Sequence, residues 1–313
     1  MTMDAPKNVL VTGGFGFIGA AMVRRLLAAG HQVTVLAKAG TNPARLSDVL
    51  DRITVMEDDL HNAPALSDRL RTLAPNGVFH FAASNIQTGV TAGNRELLDT
   101  NVLGTVNLID ALSEVNYDFF INVGTFLEYG MKGRPLKEDD RAEPPNLYSI
   151  SKLAGTLYGQ AVAKSGGKPI VTLRLMTPYG PGMQEKRLVR EVLERAMAGE
   201  PLSLTAPSVS RDFIYIDDFL SLCLEAATKA RALNGELFNA GTGIATTLET
   251  LASETIALTN SKSEVAWGSF KDVAYDSDIW CADMTKTFAA FSWRPAVTLT
   301  EGLEHTYRWL KAV

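Results

Sequence analysis

Tyr148 and Lys152, in the segment YSISK, are spaced so that both lie on one face of a helix. An ammonium beside a phenol favours the phenolate and draws down a pKa that starts near ~10, which makes the phenol an acid and base usable near neutrality. The same ammonium can hold a ribose. Thr125 follows the apolar run DFFINVG, where a strand-end hydroxyl can bond a substrate oxygen. Far upstream, GGFGFIG sets Gly13, Gly16 and Gly19 in GxxGxxG spacing between an apolar run and an apolar helical segment. Without β-carbons, backbone amides can approach a pyrophosphate, and the following helix N-terminus adds positive partial charge. One motif holds a dinucleotide and the other moves a proton, so the pair implies a redox enzyme acting on an alcohol or ketone.

These residues need a sheet to carry them. NVLVTG, HQVTVLA, RITVMED, GVFHFAA, DFFINVG and PIVTLRL read as strands. Helical patterns fall between them at Phe17–Ala29, Pro43–Leu50, Pro64–Leu73, about Thr91–Glu114 and Tyr148 to about Ala163. Strands apolar on both faces and separated by helices predict an α/β fold, a doubly wound parallel Rossmann sheet. Past Pro178 the period breaks into loops among helices predicted at Gln184–Ala198, Asp217–Lys229 and Leu248–Leu258. The expected organisation is a dinucleotide-binding domain over 1–176 and a smaller mixed α/β substrate lobe over 177–313, with about 213–240 folding back on the first domain.

Composition excludes several classes. The 313 residues are 46% hydrophobic and 21% charged with net charge −5, the balance of a soluble globular chain without a dense Lys/Arg footprint for nucleic acid. No apolar span is long enough for a bilayer and no signal-peptide core opens the chain, so a cytoplasmic location is expected. Cys223 and Cys281 have no CxxC spacing and few histidines nearby, which argues for packing and against a metal site.

The end of the second strand selects the nicotinamide cofactor, since an acid there bonds the adenosine ribose. Here stand Ala37 and Lys38, a small residue and a cation able to accept a 2′-phosphate, so NADP(H) is expected. The alternative is a solvated Lys38 with NAD(H) held by other contacts. Asp59, before Leu60, either bonds the adenine edge or only caps a helix.

With TGGFGFIG, Asp59–Leu60, HFAA at His80–Ala83, NVLGTVNLIDA at Asn101–Ala111, GTFLEYG at Gly124–Gly130, YSISK, LRLMTPYGPG at Leu173–Gly182, RDFIYIDD at Arg211–Asp218, FNAGTG at Phe238–Gly243 and FSWRPAVTLTEGL at Phe291–Leu303 in this order, the chain resembles the extended short-chain dehydrogenase/reductase family, in its nucleotide-sugar branch. The resemblance covers almost the whole chain. It implies Thr125, Tyr148 and Lys152 as the catalytic set, with Asn101 supporting a proton relay through a water. It implies a cofactor lining of Gly13, Gly16, Phe17, Ile18, Gly19, Asp59, Leu60, Phe81, Ala82, Ala83 and Val123. Arg211 would grip the diphosphate of a nucleotide-diphosphate sugar, or else pair with Asp212 or Asp217. The resemblance also suggests a homodimer through a four-helix interface, fed by surplus apolar positions such as Leu97, Leu98, Val102, Val106, Leu153, Leu157 and Val162.

Three departures qualify it. Dehydratases of the family resemble TDEVYG, whereas here Phe126–Leu127 replace the Asp–Glu pair, which disfavours dehydration. Glu128 stands one place late, as a substrate contact or an exposed carboxylate. Thr177 replaces a common asparagine at the sugar phosphates, and Lys271 stands roughly where a second arginine is common. Because no acid occupies position 37, the expected reaction is NADPH-dependent reduction of a 4-keto-6-deoxy sugar nucleotide. The alternatives are an NAD-dependent nucleotide-sugar 4-epimerase, or a non-catalytic dinucleotide sensor or interaction protein on the same fold.

Overall fold

A computed structural model describes residues 7–84, 93–270 and 277–313. Its first half alternates strand and helix: β1 (Asn8–Thr12), α1 (Phe17–Ala28), β2 (Gln32–Ala37), β3 (Thr54–Glu57), α2 (Ala63–Leu73), β4 (Gly77–His80), α3 (Asn94–Leu98), α4 (Gly104–Ala111), β5 (Phe119–Thr125), α5 (Leu147–Gly166) and β6 (Ile170–Leu175). There follow β7 (Thr177–Tyr179), α6 (Leu188–Ala198), β8 (Leu202–Leu204), β9 (Ser210–Arg211), β10 (Phe213–Tyr215), α7 (Ile216–Lys229) and β11 (Leu237–Ala240). The chain closes with β12 (Thr246–Thr247), α8 (Leu248–Thr259), β13 (Val265–Trp267), β14 (Ile279–Trp280), α9 (Thr285–Ala290) and α10 (Leu299–Leu310).

The seven-stranded sheet runs β11-β6-β5-β4-β1-β2-β3, with parallel pairing from β3 through β5. Strand order reverses between β1 and β4, the place where a doubly wound sheet opens a crevice at the carboxyl ends of its strands. The expected Rossmann sheet with smaller mixed sheets is therefore what the chain forms. Leu10, Leu36, Val78 and Phe120 share one core cluster with Leu66 of α2 and Leu108 of α4. The alternating Val9, Val35, Phe79 and Ile121 are equally buried, so both faces of the sheet are covered. Edge strand β3 is mostly exposed.

The long helix predicted over Thr91–Glu114 divides. Its first residues lie outside the described ones, and α3 and α4 are separated by a π-helical turn at Asp99–Leu103 that contains Asn101. Pro43–Leu50 forms short 3₁₀ turns at Ala44–Leu46 and Leu50–Arg52 instead of a helix. Pro43 and the β-branched Val49 leave too few good helix formers between them for an α-helix.

The chain falls into two compact units. The described residues of Met1–Glu128, Asn146–Arg174 and Leu220–Phe238 make the first, and those of Tyr129–Pro145, Leu175–Phe219 and Asn239–Val313 the second. Periodicity gave no sign that Tyr129–Pro145 groups with the later residues. Inside the second unit the buried Asp212 carboxylate accepts hydrogen bonds from the Thr242 amide and hydroxyl (2.7 Å each), the Gly243 amide (3.0 Å) and the Ala282 amide (3.2 Å). Among the described residues no helix is long and apolar enough to cross a membrane. Cys223 and Cys281 are buried free thiols, pushed up by burial.

Candidate active site

The first βα turn is built for an anion. Gly13 sits at φ +66°, and a β-carbon there would lie 2.7 Å from the Ala82 backbone nitrogen. Only glycine permits that approach between the ends of β1 and β4. Gly16 opens α1 with no capping side chain and no acidic residue in the first turn, so the positive end of the helix is not offset locally. Phe17 and Gly19 are buried and Ile18 is half-buried. The residues present fit a dinucleotide pyrophosphate. Phe81 and Ala82 hang from β1, their amides donating to the Thr12 carbonyl and hydroxyl at 3.2 Å each. Ala83 is exposed, while Leu60 and Val123 are buried.

At the end of β2, Lys38 extends into solvent and meets Asp59, Nζ to Oδ2 at 3.3 Å. Burial pulls the Asp59 carboxyl up, but the hydrogen bond from the His61 backbone and the charges of His61 and Lys38 outweigh it and hold the group below its ordinary value. The cation read as a 2′-phosphate partner thus already faces an anion. Sequence alone missed this because Asp59 arrives from the neighbouring strand end, β3 lying beside β2.

Thr125 is the last residue of β5 and is buried. Tyr148 is the second residue of α5, which is set by a capping box. The Asn146 side chain accepts from the Ser149 amide, and the Ser149 hydroxyl accepts from the Asn146 amide. With no acidic residue in this first turn, the helix N-terminus favours negative charge on the phenol, in the same sense as Lys152 one turn later. Lys152 is buried, and burial lowers its pKa to about 8 against the opposing charge of Glu128. All three side chains, with Asn101, belong to the first compact unit.

The Asn101 side chain is fully committed. It accepts from the Ser84 amide at 2.8 Å and donates to the Ser84 carbonyl and the Ser151 hydroxyl at 2.9 Å each, bracketing the end of β4 to α5. Its carbonyl accepts from Thr105 at 2.8 Å. Beneath it lies a relay that sequence reasoning passed over: His80, wholly buried, bonds Thr12 through Nδ1 (2.7 Å) and Thr105 through Nε2 (2.9 Å). Burial, reinforced by the Lys152 charge, drops its pKa to about 3, so the ring is neutral.

Glu128 is not the exposed carboxylate that one expectation made it. Its side chain is entirely buried, and the guanidinium of Arg174 donates to Oε2 at 2.7 Å. Arg211 and Thr177 belong to the second unit. The Arg211 guanidinium donates to the carbonyls of Ser210 (2.8 Å) and Ser277 (3.1 Å), and the Thr177 amide donates to the Asp212 carbonyl at 3.0 Å. Lys271 lies outside the described residues. Among the described residues no cluster of His, Cys, Asp and Glu has the makings of a metal site.

Known proteins agree with this picture and correct part of it. The chain is 29% identical over 323 residues to the dTDP-glucose 4,6-dehydratase of Streptomyces griseus, covering 96% of this chain and 93% of the relative. The UDP-glucuronic acid 4-epimerase of Bacillus cereus, solved with UDP-glucuronic acid and NAD, superposes with a TM-score of 0.87 at 26% identity, covering 97% of this chain and 99% of the other. The UDP-glucose 4-epimerase of Thermus thermophilus, solved with NAD, gives 0.82 at 27% identity, over 98% of this chain and 100% of the other. These relatives are dehydratases and epimerases, and the solved ones hold NAD, which overturns the NADP(H) expectation. The 4-ketoreductase reading, which rested on a consumed NADPH, is corrected with it. Its premise was the absence of an acid at Ala37 beside an open Lys38, and Lys38 is paired with Asp59. The profile of the NAD dependent epimerase/dehydratase family matches residues 9–241, and the chain belongs to that family.

Proposed function

We propose that this protein is an NAD-dependent 4-epimerase of a nucleotide-diphosphate sugar. The observation that carries the reading is the combination of a Thr125–Tyr148–Lys152 set with a following turn that presents no free acid. In the turn Phe126–Tyr129 the only carboxylate is Glu128, and it is buried against Arg174. Elimination of a sugar hydroxyl needs an acid and a base beside the catalytic threonine, where this chain has Phe126 and Leu127. Epimerisation needs only proton transfer and a reversible hydride acceptor. The similarity to NAD-bound 4-epimerases supports the same choice.

The turn at Gly13, Gly16 and Gly19 would hold the NAD pyrophosphate, with Asp59 and Leu60 toward the adenine, Phe81, Ala82, Ala83 and Val123 lining the rest of the cofactor, and Lys152 at the nicotinamide ribose. When bound, NAD supplies the acceptor that takes the C4 hydrogen with its electron pair and later returns it. Tyr148 removes the proton of the 4-hydroxyl and gives it back when the turned sugar is reduced on its other face. Thr125 donates a hydrogen bond to the sugar oxygen as charge builds on it. Lys152 keeps the phenol poised as the anion. Arg211 and Thr177 are proposed as contacts to the nucleotide diphosphate.

A panel of nucleotide sugars followed by proton NMR tests this directly. The expected result is interconversion of two 4-hydroxy epimers with no net change at 340 nm. A 4-keto-6-deoxy product would establish dehydration and sink the epimerase reading. In parallel titrations NAD should bind at least about fivefold more tightly than its 2′-phosphate, because an unfavourable charge contact near Asp59 is worth about 1 kcal/mol or more.

The protein is also proposed to be a homodimer. Leu98 and Leu103 on one side and Leu147, Ile150 and Leu157 along α5 are exposed, whereas Leu97 is wholly buried and available to no partner. The α5 positions recur at helical spacing and make one apolar stripe. Light scattering should return twice the 33.9 kDa chain mass, and Leu157→Glu should return it once. A monomeric wild type at micromolar concentration removes the proposal.

A further inference from the structure

Glu128 receives more hydrogen bonds than an ion pair with Arg174 requires. Its Oε1 accepts from the backbone amide of Thr125 at 2.9 Å and from the Thr156 hydroxyl of α5 at 3.2 Å, while Oε2 takes Arg174 of β6. Three elements therefore converge on one carboxylate, and one of its bonds goes to the main chain of the residue whose hydroxyl is assigned to the sugar oxygen. A second observation is independent of these distances. Gly124 directly precedes Thr125, and a β-carbon at Gly124 would stand 2.6 Å from Oε1 of Glu128 and 3.2 Å from Cγ of Arg174. The strand leaves a gap where any other residue would carry a side chain, and the carboxylate fills it.

We infer that Glu128, held by Arg174, is a positioning residue for the reaction: it locks the backbone at Thr125, and through it the hydroxyl that bonds the substrate oxygen. This rests on the epimerase reading for its chemistry but not for its geometry. The bland alternative is a buried ion pair that only joins the turn Phe126–Tyr129 to β6. The two differ in what an apolar substitute does. A buried pair replaced by apolar residues of similar volume commonly leaves stability unharmed or improved, whereas removing one partner strands a charge. A hydrogen-bond acceptor for the Thr125 amide has no apolar substitute. A displacement of the order of ~1 Å in a reacting group is enough for a loss near 100-fold.

Two double variants separate these outcomes. Glu128→Leu/Arg174→Leu keeps the volume and neutrality of the pocket and removes the acceptor. Glu128→Gln/Arg174→Gln is equally neutral and retains an oxygen toward the Thr125 amide. The leucine pair should melt no lower than the glutamine pair and bind NAD equally well. Its kcat should be lower by about 30- to 100-fold, with KM for the sugar nearly unchanged. The glutamine pair should recover most of that loss. Amide hydrogen exchange at Thr125, read on the protein without substrate, should be slow in the wild type and the glutamine pair and at least about tenfold faster in the leucine pair.

Equal kcat in two folded double variants overturns the inference, as does fast exchange at Thr125 in the wild type. If either double variant fails to fold, the wild-type exchange measurement still decides. A wild type that turns over no sugar in the panel overturns the epimerase reading alone. The exchange comparison then judges whether Glu128 holds Thr125.

Discussion

Replacing Tyr148 with phenylalanine lowers kcat by about 100- to 10,000-fold while NAD binding stays within a few-fold of the wild type. The ring keeps its packing at the start of α5, and the capping box formed by Asn146 and Ser149 does not involve the phenol. What is lost is the group that takes the 4-hydroxyl proton and returns it. Both directions of the exchange should therefore fall by the same factor. Calorimetric titration of NAD together with initial rates in each direction is the check. A variant with wild-type turnover would move the acid/base role to another group and dissolve the assignment of Thr125 and Lys152 with it.

Substitution of Lys152 by methionine gives the second large effect, and pH reveals its origin. Burial brings the Lys152 pKa down to about 8, with Glu128 resisting. The ammonium is therefore mostly present at pH 7 and is lost as pH rises through about 8. Since the charged form holds the phenolate and the ribose, wild-type kcat/KM should fall by about tenfold per unit above about pH 8. Lys152→Met should lower kcat/KM by about 100-fold or more at pH 7 and erase that alkaline limb. Stability runs the other way. The unfolded lysine keeps its proton to a higher pH than the folded one, so the wild type gains stability as pH rises from about 8 toward the unfolded value. At pH 7 the methionine variant, relieved of a buried charge, should be more stable by up to about 3 kcal/mol. Urea melts at pH 7 and rate profiles from pH 6 to 10 test both halves. An unchanged alkaline limb in the variant would assign that limb elsewhere.

Much of this was legible in the residues because the signals are local. A glycine-spaced turn between an apolar strand and an apolar helix, or a Tyr and a Lys one turn apart, needs no knowledge of distant contacts. The doubly wound parallel sheet followed from the same alternation, since buried parallel strands need covering helices. What the residues hid was lateral. Lys38 reads as an open cation until β3 is laid beside β2 and brings Asp59 to it. Glu128 reads as a surface acid because it follows two apolar residues in a turn. Only the pairing of Arg174 from β6 and the space above Gly124 show it buried. The interruption at Asp99–Leu103 was invisible too, as apolar spacing hardly distinguishes an α-helix from one carrying a π turn. Asn146 and Ser149 were the missed signal that local reading does contain, a polar residue three places ahead of a hydroxyl at a helix start.

The start of α5 has a further meaning. Tyr148 rides on the first turn of a twenty-residue helix, the part that frays earliest when a helix loosens, while Lys152 lies deeper in the same helix. A small loss of order at Asn146 would leave the fold, the sheet and the lysine in place and still carry the phenol out of register. Heat inactivation of this protein should then precede its global melting, governed by the opening of a single turn rather than by the strength of the core.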